Sequence, residues 1–229
     1  MLLRTLLAAA VLAVVPTAAV STTAVSTAAA PVTAEAAPAC GGYVALTYDD
    51  GPSAQFTRPL LNALRSAGAR ATFFDLGSRV QQQAHLARET TSAGMWIANH
   101  SWSHPYLTNL GAAAVAKELG DTQNAIRNAT GRAPTLFRPP YGATNATVQG
   151  EARKLGLTQV TWSVDTQDWN GASTDAIVRA ATGANAGGIV LMHASYQNTV
   201  NAVPRIVQGL AAKNLCPGRI DDSGRVVAP

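Results

Sequence analysis

Cysteine, histidine and lysine are all scarce in this chain. Its 229 residues contain two cysteines, four histidines and 17 basic residues, 14 of them arginine. The arginines are scattered, with no basic run and no interleaving of aromatic and basic residues, so nucleic-acid binding has no support. Neither cysteine lies near another candidate ligand, which excludes a thiolate metal site. No stretch beyond the N-terminal leader is long and apolar enough to cross a bilayer, which takes about 20 residues. Stable membrane association is therefore not expected. No Gly-x-Gly-x-x-Gly loop follows the first candidate strand, which removes a dinucleotide-binding fold. No internal repeat is visible. A net charge of +4 is a weak argument for approach to anionic polymers.

Charge is missing altogether between Arg4 and Glu35. Arg4 precedes an apolar run, Leu6 to Val15, and then Ala/Ser/Thr-rich sequence with several small-x-small cleavage options. Residues 1–36 read as a signal peptide, with Ala34-Glu35-Ala36 the preferred cleavage site and Pro16–Ala19 the runner-up. A retained N-terminal anchor is the alternative. The protein is expected to be secreted. The remaining stretch of about 190 residues fits one domain with a substantial core. Residues 37–42 read as an N-terminal segment, 43–216 as the folded domain and 217–229 as a C-terminal tail. Cys40 and Cys216 stand at the two ends of that domain. In an exported chain they read as one disulfide, with two buried free thiols as the alternative.

From Tyr43 onward, short apolar runs alternate with amphipathic stretches. Strands are predicted at Tyr43–Thr47, Ala71–Leu76, Trp96–Ala98, Thr135–Phe137, Gln159–Val164 and Gly188–Met192. Helix-period segments lie near Phe56–Ala67, Gln81–Ala93, Ala112–Asn128, Asn145–Leu155, Thr174–Ala184 and Thr199–Lys213. Leu60, Leu61 and Leu64 have the one-faced spacing of a helix packed on a core. Alternation at this frequency predicts an α/β fold with a parallel sheet and helices outside, as a small irregular (β/α) barrel. Periodicity alone also allows an open doubly wound sheet.

Five polar clusters fall at or just past the ends of these strands, where barrel active sites are built. They are Thr47-Tyr48-Asp49-Asp50-Gly51-Pro52, His100-Ser101-Trp102-Ser103-His104, Arg138-Pro139-Pro140-Tyr141-Gly142, Asp165-Thr166-Gln167-Asp168-Trp169 and Leu191-Met192-His193. Adjacent carboxylates are costly unless a cation or an arginine offsets their repulsion. His100 and His104, four apart, point the same way if they share a helical turn. One carboxylate with two imidazoles leaves coordination positions open, the pattern of catalytic zinc, though cobalt and nickel also suit imidazole. His85 sits in a polar stretch and reads as surface.

The order and content of these clusters resemble the NodB-type polysaccharide deacetylases, carbohydrate esterase family 4, over about residues 43–215. The short bacterial acetylxylan esterases and chitooligosaccharide deacetylases are the most similar type. The resemblance implies the barrel of that family, and a deacetylase catalytic domain at 43–216. It implies one divalent metal ion, zinc before cobalt or nickel, held by Asp50, His100 and His104. It makes Asp49 the general base, Arg138 the group that orients Asp49, and His193 the general acid. Asp168 would pair with His193, with Asp165 a second candidate. The Tyr141 backbone N–H would meet the oxyanion, and Trp169 and Leu191 would wall the acetyl-methyl pocket. The implied partner is an acetylated polysaccharide or oligosaccharide, and a monomer is expected. Two departures stand out. Tyr48 replaces the commoner Phe, and Ala194-Ser195 follow His193 where an aspartate is frequent. A peptidoglycan N-acetylglucosamine deacetylase, a catalytically silent carbohydrate-binding module and a metal phosphoesterase are the competing readings.

Overall fold

A computed structural model describes residues 40–229 and, ahead of them, Leu2 alone. The leader assigned to residues 1–36 thus lies outside the described residues, Leu2 apart. In chain order the elements are β1 (Gly42–Gly51), α1 (Thr57–Ser66), β2 (Thr72–Asp75), α2 (Gly77–Gln82), α3 (Ala84–Ser92), β3 (Trp96–Asn99), α4 (Ala112–Thr130) and β4 (Leu136–Phe137). They continue as α5 (Ala146–Lys154), β5 (Thr158–Gln159), β6 (Val164–Asp165), α6 (Thr174–Thr182), β7 (Ile189–His193), α7 (Gln197–Ala211), β8 (Leu215–Ile220) and β9 (Val226–Val227).

The strands pair in the order β5-β4-β3-β2-β1-β7-β6, and every pair on that path is parallel. Right at the centre, β1 alternates between two environments, as a strand's period of two requires. Val44, Leu46 and Tyr48 join the large cluster under the helices, with Leu60, Leu64, Val190 and Ile206. Ala45 joins Phe74, Ala98, Leu136 and Val160 in a second cluster inside the curved sheet. Thr47 and Asp49 share the parity of Ala45, so β1 delivers a carboxylate to the barrel interior at its C-terminal end. The helix predicted from Leu60, Leu61 and Leu64 is α1, and all three are buried.

Three predicted elements change in the structure. Gln159–Val164 is not one strand. Val160 N–H donates to Phe137 O on one sheet edge, and Ser163 N–H donates to Ile189 O on the other. Thr161 and Trp162 therefore carry the chain across the seam of an unclosed barrel. The helix expected at Gln81–Ala93 begins earlier, at Gly77, and breaks at Gln83, where φ is −130° and ψ 43°. A Cβ at Gly77 would sit 2.5 Å from Thr122 Oγ1 and 2.6 Å from the Trp102 ring, so only glycine lets α2 approach α4 this closely. Finally, most of the segment read as a C-terminal tail is ordered. β8 pairs in parallel with β1, and β9 closes on it antiparallel. Cys40 and Cys216 form a disulfide with a Cα–Cα distance of 5.7 Å. Among the described residues, no helix is long and apolar enough to cross a membrane.

Candidate active site

Two neighbouring residues of a regular strand point to opposite faces. Asp49 and Asp50 escape this rule through a break in register. Asp49 pairs with Phe74 and Gly51 with Asp75, leaving Asp50 unpaired between them, with φ at 66°. Such a bulge re-aims side chains. Here both carboxylates reach one imidazole: His100 Nε2 is 3.6 Å from Asp49 Oδ2 and 3.6 Å from Asp50 Oδ1. Asp50 Oδ1 is also 3.5 Å from His104 Nε2.

The two histidines come from the loop after β3, and that loop is not the helical turn the sequence predicted. Ser101 and His104 both have positive φ, 67° and 64°. The loop is held by side chains instead. Asn99 Oδ1 accepts from Ser101 N–H at 2.9 Å, and Ser101 Oγ accepts from His104 N–H at 3.1 Å. Glu118 of α4 accepts from the Trp102 and Ser103 N–H groups at 2.8 and 2.9 Å, and from Ser103 Oγ at 2.8 Å. Among the described residues, four of the six non-glycine residues with positive φ are Asp50, Ser101, His104 and Tyr141, all at this site. Strain of this kind persists only where surrounding structure fixes it.

Ligand atoms of Asp50, His100 and His104 all lie within 4.8 Å of one another, a set that could hold a metal ion. The local chemistry fits a cation. Asp50 Oδ1 is buried with no hydrogen-bond partner. His100 Nδ1–H donates to the Arg138 carbonyl at 2.8 Å, which fixes the tautomer and turns the Nε2 lone pair toward Asp50. Burial pushes the His100 imidazolium down to about 3, so the ring is neutral, as a ligand must be.

Arg138 is completely buried. Its Nη1 donates to Asp49 Oδ1 at 2.7 Å and to Thr47 Oγ1 at 2.8 Å, while Nη2 donates to the seam carbonyl of Thr161 at 3.0 Å. The guanidinium lies 4.0 Å from the centre of the Phe74 ring. Burial raises the Asp49 carboxyl above the ordinary carboxylate range, with Arg138 and His193 opposing the rise.

β7 ends at His193, which pairs with Asp49 across the sheet. Its Nδ1 meets Asp168 Oδ1 at 2.8 Å, and its backbone N–H donates to Asp168 Oδ2 at 2.8 Å. Thr199 Oγ1, at 2.6 Å, and the Trp169 N–H, at 2.9 Å, also donate to Asp168. Burial alone would lower His193, but the hydrogen bond and charge of Asp168, with Asp49 and Asp50, outweigh it and hold the imidazolium above its ordinary value. Asp165 is engaged differently, accepting from Gln167 N–H at 2.9 Å and from Trp169 Nε1 at 3.3 Å.

A cleft of about 360 Å³ is lined by Asp49, Asp50, His100, His104, His193 and Tyr141 among others, while Arg138 and Asp168 do not line it and hold Asp49 and His193 from behind. Trp169 and Leu191 line it too. Trp162, Tyr196, Thr199 and Glu118 escaped the sequence reading. Trp162 sat in an expected strand, and Thr199 and Glu118 lay in helical patterns that gave no sign of which way they face. Asp75 is another such residue. It is buried beside Gly51 with neither carboxylate oxygen partnered, and burial pushes its carboxyl up to about 7. A Cβ at Gly51 would lie 2.2 Å from Asp75 Oδ1, so Asp75 requires the glycine that follows the aspartate pair.

Known proteins resemble this chain in sequence and in fold. The chain matches the family model for polysaccharide deacetylase over residues 36–160. It is 49% identical over 193 residues to a bifunctional xylanase/xylan deacetylase of Cellvibrio japonicus, a match covering 83% of this chain and 29% of the relative. It is 41% identical over 157 residues to a peptidoglycan-N-acetylglucosamine deacetylase of Listeria monocytogenes, covering 68% of this chain and 33% of the relative. The chain therefore spans a third or less of the length of these two relatives. Among solved structures it resembles a family 4 carbohydrate esterase from Streptomyces lividans in complex with acetate, with 54% identity and a TM-score of 0.82. That likeness covers 83% of this chain and all of the other, so it includes strands and loops beyond the family-model match. Matched over more than half its length by the family model, and over nearly all its folded part by an esterase of the same build, this chain belongs to the polysaccharide deacetylase family, carbohydrate esterase family 4.

Proposed function

We propose that the protein is a secreted, metal-dependent deacetylase that removes acetyl groups from polysaccharides, O-acetyl from acetylxylan and N-acetyl from chitooligosaccharides. One observation carries this reading. A His/His/Asp cluster and a hydrogen-bonded His–Asp pair face each other across one cleft, with a buried carboxylate, Asp49, between them. A divalent ion at Asp50, His100 and His104, zinc in our reading, would supply Lewis-acid activation of water and of the acetyl carbonyl.

This chain's own residues do the rest. Asp49 takes the proton of the attacking water, with its second oxygen held by Arg138. The Tyr141 N–H donates to the carbonyl oxygen as it becomes an oxyanion. Trp169 and Leu191 enclose the acetyl methyl group. His193, kept protonated by Asp168, gives its proton to the departing sugar oxygen or nitrogen. The carbon–oxygen or carbon–nitrogen bond breaks, leaving acetate and a free hydroxyl or amine. Residues 1–36 act as the export signal, and the Cys40–Cys216 disulfide suits an oxidising compartment.

The Listeria relative favours a second reading, deacetylation of peptidoglycan N-acetylglucosamine. Acetate release measured in parallel on acetylxylan, chitin oligomers and peptidoglycan separates the two. The deacetylase reading expects acetate from at least one of them, abolished by chelator and restored by zinc or cobalt. A protein shown to be metal-free yet fully active would refute the metal site.

A further inference from the structure

The largest hydrophobic side chains left in water are not scattered. Within residues 40–229 five are exposed: Tyr106, Tyr141, Leu155, Trp169 and Tyr196. Three of these line the active-site cleft, and a fourth, Tyr106, does not line it but stacks on one that does. The Tyr106 and Tyr141 rings lie nearly parallel, 12° apart, with centroids at 3.9 Å. Tyr141 in turn packs against His104 at 4.6 Å and 71°. On the opposite side of the cleft, Tyr196 sits near His193 at 6.1 Å, with Trp169 alongside. Exposed aromatic surface gathered at one place marks a binding face rather than a core.

Tyr106 has no duty in the chemistry. Its side chain makes no hydrogen bond to the metal-ligand set or to the His193 pair, and its ring stacks on Tyr141. The residue remains 50% exposed, and a parallel stack occupies only the ring face turned to Tyr141, which leaves the opposite face for a ligand. The chemistry of that face is apolar, flat and edged by a phenol hydroxyl. It suits the C–H face of a pyranose ring, with the hydroxyl available to the sugar's oxygens.

We infer that Tyr106 is a specificity-determining residue, forming with Tyr141 a subsite for the sugar next to the acetylated one on the His104 side. With Trp169 and Tyr196 on the far side, the aromatic rim accommodates a chain that continues in both directions. The protein accordingly favours acetyl groups in the interior of a polymer over those on single sugars. This rests on the deacetylase reading above.

The test compares Tyr106→Ala and Tyr106→Trp with the parent protein on two substrates, an acetylated tetrasaccharide and an aryl acetate. Tyr106→Ala should raise KM on the tetrasaccharide by about two- to tenfold, the range of one aromatic contact. The kcat on it should change less than KM, and kcat/KM on the aryl acetate should fall several-fold less than on the tetrasaccharide. Tyr106→Trp should restore the tetrasaccharide KM. Equal losses on both substrates would mean that Tyr106 only props Tyr141, and no loss on the tetrasaccharide would mean that no sugar rests on it. Either result overturns the subsite while leaving the deacetylase reading intact. Failure of the parent protein to release acetate from any sugar would overturn both.

Discussion

At the scale of single residues, the site depends on a few side chains whose surroundings set their protonation. His193 shows this best. In the proposed mechanism it acts as an acid, so raising the pH through its pKa would remove the proton and stop the reaction. Its pKa lies above the ordinary value because Asp168 outweighs burial, so the alkaline limb of the rate profile should lie above that of a free imidazole. Asp168→Asn removes the charge, and the limb should move to lower pH. A profile of kcat/KM against pH for the two proteins checks this, and an unmoved limb would deny Asp168 its role. Much of this chemistry was legible in the sequence, because the residue types are rare and specific. With four histidines in the chain, three inside polar clusters could not pass as background. Which aspartate pairs with His193 was legible only through the family resemblance, which favours Asp168. Asp165 and Asp168 are both in reach by spacing, and the burial of Asp168 among Thr199 and two N–H groups decides between them.

At the scale of elements, the loop that carries His100 and His104 is built without regular structure. A helical turn was the natural reading of His-x-x-x-His, yet positive φ at Ser101 and His104 rules it out. What fixes the loop is Glu118, 14 residues beyond His104 and on another element. One carboxylate there takes three donors from Trp102 and Ser103. Helical periodicity places Glu118 on α4 but cannot say that it faces this loop, so its role had no sequence signal. Glu118→Ala should leave the fold intact, since no core packing is lost, while the loop relaxes out of its strained geometry. Metal affinity should fall by about 10- to 100-fold, the usual cost of losing a group that orients ligands. Titration of the metal-free protein with zinc, alongside a melting curve, measures both quantities. An unchanged Kd would mean that Asn99 and Ser101 hold the loop unaided.

At the scale of the whole molecule, the barrel is open and is tied together at two distinct places. On the catalytic side, Arg138 joins β1 to the seam through Thr47, Asp49 and the Thr161 carbonyl. At the other end of β1, the C-terminal hairpin adds β8, and Cys216 bonds to Cys40. That hairpin was invisible in the sequence because Cys216-Pro217-Gly218 has the composition of a turn. The glycine is there for contact: a Cβ at Gly218 would come within 2.5 Å of Val227 O and 2.7 Å of Tyr43 Cβ. The disulfide closes a loop of 176 residues. Chain-entropy reasoning gives at most about 4–5 kcal/mol for such a loop. At about 2–4 °C per kcal/mol for a domain of this size, reduction should lower Tm by up to about 10–20 °C. Chemistry should survive, for a geometric reason. Cys216 is aligned with Tyr43 on β1, six positions before Asp49, which at about 3.3 Å per residue puts the bridge some 20 Å from that carboxylate. Reduced protein assayed well below its new Tm should therefore keep its kcat and its metal, and differ from the oxidised form only in how soon it is lost on heating. A fall in kcat at low temperature, with the fold retained, would show that strain at the hairpin is transmitted along β1 to the aspartate bulge.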